Sequence, residues 1–172
     1  MKFSSHIKRF EETYATFHIP ISNEIYSEMI LEAKDKRIIC TINNDYTFHC
    51  AMQSKVTFYF IMLNQETCKK YNYNENDKVS VEIIADKSKY GMEISEEFEE
   101  VLFSDPEGEI WFNKLTDGKK RSLIFLTNKT KNSQLRIEKC FVVLEHLKRN
   151  KGSLDLQLLI EDFKNFNKKK LL

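Results

Sequence analysis

Residues 58 to 85 read FYFIMLNQETCKKYNYNENDKVSVEIIA, and the order of signals in this stretch decides the fold. The apolar run from residue 56 to 63 has no polar break except Thr57, as in a strand covered on both faces. Asn64 is placed to cap a short helix over residues 65 to 71. Asn74-Glu75-Asn76-Asp77 is turn chemistry. From Lys78 the pattern alternates with period two. Val79, Val81, Ile83 and Ala85 share one face, and Lys78, Ser80, Glu82 and Ile84 share the other, which only Ile84 breaks.

Working outward, residues 10 to 19 are aromatic and β-branched and stop at Pro20, which predicts the first strand. Ser22 predicts an N-cap for a short helix through Ile25, Tyr26, Met29 and Ile30. Residues 36 to 43 and 46 to 53 predict a hairpin turning at Asn43-Asn44-Asp45, since Asn and Asp tolerate positive φ. After about residue 95 the period changes. Ser95 predicts the cap of a helix burying Phe98, Val101 and Leu102. Asp105-Pro106 opens a second helix carrying Ile110, Trp111 and Leu115, which Asp117-Gly118 breaks. A third helix covers residues 119 to 127. The longest runs from 133 to about 149, with Ile137, Cys140, Phe141, Leu144 and Leu147 as its buried stripe. Another amphipathic helix is expected over residues 154 to 166, followed by Lys168-Lys169-Lys170, a solvated basic end. The fold class is α+β, with strands over residues 1 to 90, helices over 91 to 152 and a basic tail over 153 to 172.

The 172 residues are 41% hydrophobic and 31% charged, which excludes a mainly disordered chain. Lys and Arg total 27 against 26 Asp and Glu, so no global charge draws the chain to nucleic acid or membrane. No apolar run reaches the roughly 20 residues of a membrane helix. The first residues lack the apolar core of a secretory signal, so a cytoplasmic location is expected. Cys40, Cys50, Cys68 and Cys140 form no CxxC pair. Cys40 and Cys50 could meet across the hairpin, but buried, unreactive thiols are the expectation in a reducing compartment.

The four histidines lack HxH or HExxH spacing, and the four glycines cannot build a phosphate loop. No metal, cofactor or catalytic residue is therefore expected. The acidic stretch from Glu93 to Glu109 reads as a solvated helix face. Lys119, Lys120 and Arg121, with Lys129, Lys131 and Arg136, form a candidate surface for an anion or an acidic partner; the plainer reading is that they balance that acidic stretch. Trp111, with Phe103 and Phe112, is a candidate cleft residue, and in the plainer reading a core residue.

The strand, short helix, polar turn and alternating strand of residues 58 to 84 resemble the swapped-hairpin and double-split β-barrel superfamily of AbrB-like proteins. There a Gly-Asp pair precedes the last strand; here it is Asn76-Asp77. Over residues 8 to 149 the chain looks like a bacterial family that joins a double-split barrel of unknown function to a small helical domain described as bacteriocin-protection, YdeI or OmpD-associated. KRIICTINNDYTFHC, the turn before KVSVEI, FEEVLFSDPEGEIWFNKLTDGKKRSLIFL, and Arg136-Ile137 followed by residues 140 to 147 carry that resemblance. It implies a double-split barrel followed by a small helical bundle, and no particular reaction. The expected function is a non-enzymatic binding or interaction module with a link to bacteriocin or stress protection. The alternative is nucleic-acid binding, for which Lys34, Lys36, Arg37 and Lys55 are a thin basic supply. The third is a small-molecule enzyme with a site near Trp111, Arg121 and Arg136.

Overall fold

The structure is a computed structural model that describes residues 1–10, 13–56 and 58–169. Glu11 and Glu12 of the expected first strand, Thr57 of the apolar run and Lys170 of the basic end lie outside the described residues. The chain divides into two compact units, Met1–Met92 and Glu93–Leu172.

The first unit is a curled antiparallel sheet of seven strands with helices. The strands are β1 (Lys2–His6), β2 (Lys8–Phe10), β3 (Thr13–Ile21), β4 (Arg37–Ile42), β5 (Tyr46–Lys55), β6 (Phe58–Leu63) and β7 (Lys78–Ala85). They lie in the order β1-β7-β4-β5-β6-β3-β2. The N-terminal residues therefore supply two strands ahead of the one expected to be first. Ile7 alone separates them. Its N–H donates to the Asp77 carbonyl at 2.9 Å, and its carbonyl accepts from the Asn76 N–H at 2.8 Å. Pro20 does not end β3 but sits inside it, opposite Phe60 and beyond the last β2 pair, where a missing N–H leaves no ladder bond unmade.

Two short helices cover the concave side, α1 (Asn23–Glu32) and α2 (Gln65–Lys70). Both start as their caps predict: Ser22 Oγ accepts from the Ile25 N–H at 3.3 Å, and Asn64 Oδ1 from the Thr67 N–H at 2.7 Å. The core joins Ile19, Ile38, Ile42, Met52, Ile61, Val81 and Ile83 of the sheet to Tyr26, Met29 and Cys68 of the helices. Each such side chain contributes about 1.5–3 kcal/mol on burial. Asn43 and Asn44 take φ of 53° and 55° in the three-residue turn between β4 and β5, closed by the Asp45 N–H donating to the Ile42 carbonyl at 3.0 Å, and Asn76 takes 69° where a glycine would otherwise serve. All four cysteines are free thiols. Burial pushes the Cys68 thiol up, and that of Cys140 to about 12, which suppresses the reactive thiolate.

The second unit holds α3 (Glu96–Ser104), α4 (Pro106–Asn113), α5 (Asp117–Asn128), α6 (Ser133–Arg149) and α7 (Leu156–Lys169). α6 packs against each of the other four. Ser95 and Asp105 cap α3 and α4 as expected, through bonds to the Phe98 and Gly108 N–H groups. Asp117 and Gly118 do not break a helix; they open α5, where an acidic first turn suits the positive end of the helix. Two apolar faces differ from expectation. α4 buries Phe112 and leaves Ile110 exposed, and Phe141 of α6 is exposed while Val143 takes its place in the core. Phe98 and Phe112 meet edge to face at 5.3 Å. No described helix is long and apolar enough to cross a membrane.

α4 and α6 touch through Gly108. A Cβ there would lie 2.8 Å from the Leu144 Cβ, which is held by its own helix. Gly108→Ala should therefore cost about 1–3 kcal/mol in denaturant unfolding, despite the better helix propensity of alanine. An unchanged or raised midpoint would show that the two helices give way freely.

Candidate binding face on the curled sheet

Of the basic residues singled out in the second unit, Arg136 and Lys120 are engaged with that unit's own polar groups. Arg136 places Nη1 at 2.8 and 2.7 Å from the two Glu97 carboxylate oxygens, and its Nε donates to the Thr130 carbonyl at 2.9 Å. Lys120 lies 3.6 Å from Asp117. Lys129 sits over the Phe125 ring at 4.7 Å. Lys119 and Lys131 are exposed, and Arg121 is half-buried. Trp111 is half-buried, with Lys114 Nζ 4.2 Å over its ring and Gly152 against its edge, so a glycine stands where any side chain would strike the indole. Two members of the acidic stretch, Glu97 and Asp105, likewise answer to cations within the unit, Arg136 and Lys148.

The outward face of the sheet has two halves of different chemistry. On the β5-β4-β7 half, His49 Nδ1 lies 2.7 Å from Asp86 Oδ2. The Asp86 carboxylate is wholly buried, and its other oxygen accepts from the Ser88 N–H at 2.9 Å and Oγ at 2.6 Å. Burial pushes this carboxyl up, but the bonds from Ser88 and His49 outweigh it and hold it below the usual range. The arrangement ties β5 to the segment after β7. Among the described residues no three His, Cys, Asp or Glu side chains are grouped to hold a metal ion.

On the β2-β3-β6-β5 half the face is aromatic. Strand alternation sends Ile19, Ile61 and Leu63 to the core, and so turns His18, Phe58, Phe60 and Met62 outward. Lys55 pairs with Phe58, and Gln53 with Phe60, on the same outward side. β2 brings in Lys8 beside His18, and a register shift between Arg9 and Phe10 re-aims the end of the strand. Phe10 stacks on His18 at 4.1 Å between centroids. Phe60 meets Phe10 edge-on at 5.1 Å, and Phe58 lies 5.5 Å from His18 and 6.2 Å from Phe10. Lys55 Nζ stands 4.6 Å over the Phe10 ring. Lys8 Nζ donates to Asn76 Oδ1 at 2.9 Å. A cavity of about 410 Å³ opens beside the cluster, lined by Phe10, Thr16, Gln53, Lys55, Phe60 and Met62.

Here β6 is apolar on both sides, as expected, but its outer side is covered by rings of β2 and β3. The sequence pointed to Lys55 alone on this face. The missed signal was the apolar outward positions 58, 60 and 62, together with a histidine set between Phe17 and Ile19. No known family model matches the chain, and no curated protein matches it.

Phe10 and Phe58, the half-exposed rings of this cluster, can offer aromatic surface to a planar ligand, while His18 and Phe60 are buried beneath them. The Arg136–Glu97 pair serves stability instead. The Arg136 guanidinium, followed by Ser133, holds the Glu97 carboxyl at about 2, against an ordinary 4.5. A depressed carboxyl stabilises fully above its ordinary value and loses that contribution as pH falls toward the folded one. Glu97→Gln should thus lower stability at neutral pH, with the difference from wild type shrinking from about pH 4.5 and vanishing near pH 2. Urea titrations along the acid range measure this, and a pH-independent difference would contradict it.

Proposed function

We propose that this chain is a non-enzymatic binding module, and that single-stranded nucleic acid is the ligand its aromatic face takes. The carrying observation is the ring cluster of Phe10, His18, Phe58 and Phe60 with Lys55 poised over Phe10. Single strands are held by stacking bases on side-chain rings while cations track the phosphates, and each stacked base contributes about 1–3 kcal/mol. A duplex keeps its bases stacked on one another and offers no free ring face.

The finer fold belongs to the same proposal. The curled sheet with its Asn76-Asp77 turn is read as a double-split barrel of the AbrB-like kind, and α3 to α6 as the helical bundle of the bacteriocin-protection, YdeI or OmpD-associated family, with α7 as a tail beyond it. On this reading the protein works in the bacterial cytoplasm, and its part in bacteriocin or stress protection is exerted by binding. Supporting it are the order of elements in residues 58 to 85 and the positive φ at Asn76, the position of the family's glycine.

Fluorescence anisotropy of labelled single-stranded and duplex DNA, at about 50 and 200 mM salt, tests this. Micromolar binding of the single strand is expected, weakening with salt and exceeding that of duplex. Phe10→Ala and Phe58→Ala should each weaken it about tenfold, with folding checked by circular dichroism. Replacing Lys119, Lys120 and Arg121 together with Ala should change it little. No binding at low salt, or loss of binding in the triple variant alone, would overturn the proposal.

A further inference from the structure

Arg9 is a half-buried cation with no carboxylate in hydrogen-bond reach among the described residues. Register sets it opposite Phe17 of β3, a core residue, and its guanidinium carbon lies 4.6 Å over that ring. Its side chain is 36% exposed, yet it donates no hydrogen bond to a described residue. Its ion-pair partner, Glu75, stays 3.9 Å from Nε, whereas a charge-assisted bond spans about 2.7–2.9 Å. Arg136 and Arg149, by contrast, close on Glu97 and Asp162 at 2.7 and 2.5 Å.

Arg9 and Phe17 line a cavity of about 320 Å³ against Lys69 of α2 and Asn72 and Asn74 of the turn that follows it. Gln65 adds a third side-chain amide, and no Asp or Glu is in the wall. Lys69 is exposed and its ammonium has no partner among the described residues. The two wall groups able to turn negative, the Cys68 thiol and the Tyr73 hydroxyl, stay neutral because burial pushes both up. A concave site with two cations and no opposing charge in its wall concentrates anions. Stacking on Phe17 also holds the guanidinium fork in advance, so little freedom is lost when an anion arrives.

The donor set chooses between anions. A carboxylate brings two oxygens and a single charge. A phosphate monoester brings three oxygens and a charge of about −1.5 to −2. Two cations from separate elements and three amides match the phosphate better. The cavity is in the range of small-ligand sites and larger than a phosphate alone, and the rings of Phe17 and Tyr73 give the remainder an apolar wall.

We infer that the cavity between Arg9 and Lys69 binds the phosphate group of a small phosphate monoester. Arg9 takes two phosphate oxygens with its fork, Lys69 balances the remaining charge, and the organic part rests against Phe17 and Tyr73. The inference does not rest on the nucleic-acid reading of the aromatic face.

The test titrates the full chain with phenyl phosphate, inorganic phosphate, benzoate and phenol, followed by calorimetry and backbone amide shifts. Phenyl phosphate should bind with a Kd on the order of 1 mM or tighter and move the amides of Arg9, Lys69, Asn72 and Asn74. Inorganic phosphate should move the same amides with about tenfold weaker affinity, and phenol none of them. Arg9→Met keeps a stem over Phe17 without the charge and should weaken binding about tenfold or more. Lys69→Gln should weaken it about threefold. Glu75→Gln removes the competing carboxylate and should strengthen it about threefold, a gain that a damaged fold cannot produce. Benzoate binding as tightly as phenyl phosphate, shifts that leave those four amides in place, full affinity in Arg9→Met, or weaker binding in Glu75→Gln would each overturn the inference. So would no binding of phenyl phosphate at about 10 mM.

Discussion

One residue, Ile7, joins the two edge strands of a seven-stranded sheet. In a flat sheet these edges would stand six strand spacings apart, about 29 Å. A single residue advances the chain by no more than about 3.6 Å. The sheet must therefore bend until its edges meet, and Ile7 marks the meeting. Its backbone bonds to Asn76 and Asp77 at the head of β7, its side chain is wholly buried, and Ser5 Oγ reaches the Pro20 carbonyl at 3.0 Å. The curl gives the sheet a concave side to fill, and α1 and α2 fill it.

The same bend shapes the outward side. β2 is only three residues long, yet it ends where Phe10 can lie on His18 and meet the outward rings of β6. Without the return of the chain at Ile7, Phe58, Phe60 and His18 would face solvent as an uncovered apolar stripe. With it they form a cluster that is mostly shielded but keeps Phe10 and Phe58 half-exposed and cations at its rim. Closure of the fold and construction of the aromatic face are thus one event. The second unit is organised differently, around α6, with ion pairs such as Arg136–Glu97 and Lys148–Asp105 holding its helices.

Local signals were legible in the sequence because their partners are near neighbours. Ser22, Asn64, Ser95 and Asp105 each cap the helix that follows them. Asn43-Asn44 makes the hairpin, and the alternation of β7 gives its buried face. β1 and β2 were not legible. β1 is short and mixed, and its partner β7 lies more than seventy residues away, so only tertiary register makes it a strand; β2 pairs with the nearby β3 but is only three residues long. The start of α5 was misread because Asp-Gly also signals a turn. Lys119, Lys120 and Arg121 stood out because they are adjacent in sequence. The residues of the aromatic face come from positions 10, 18, 55, 58 and 60, on four strands, and register alone brings them together.

The most direct measurement is a map of backbone amide chemical shifts of the full chain during titration with a single-stranded oligonucleotide. A ligand that uses the face built by the closure at Ile7 should move the amides of Phe10, Thr16, His18, Gln53, Lys55 and Phe58 first, and leave those of α5 and α6 in place. Shifts gathered on α5 and α6 around Lys119, Lys120 and Arg121, with the sheet silent, would contradict the account and return the binding surface to the helices.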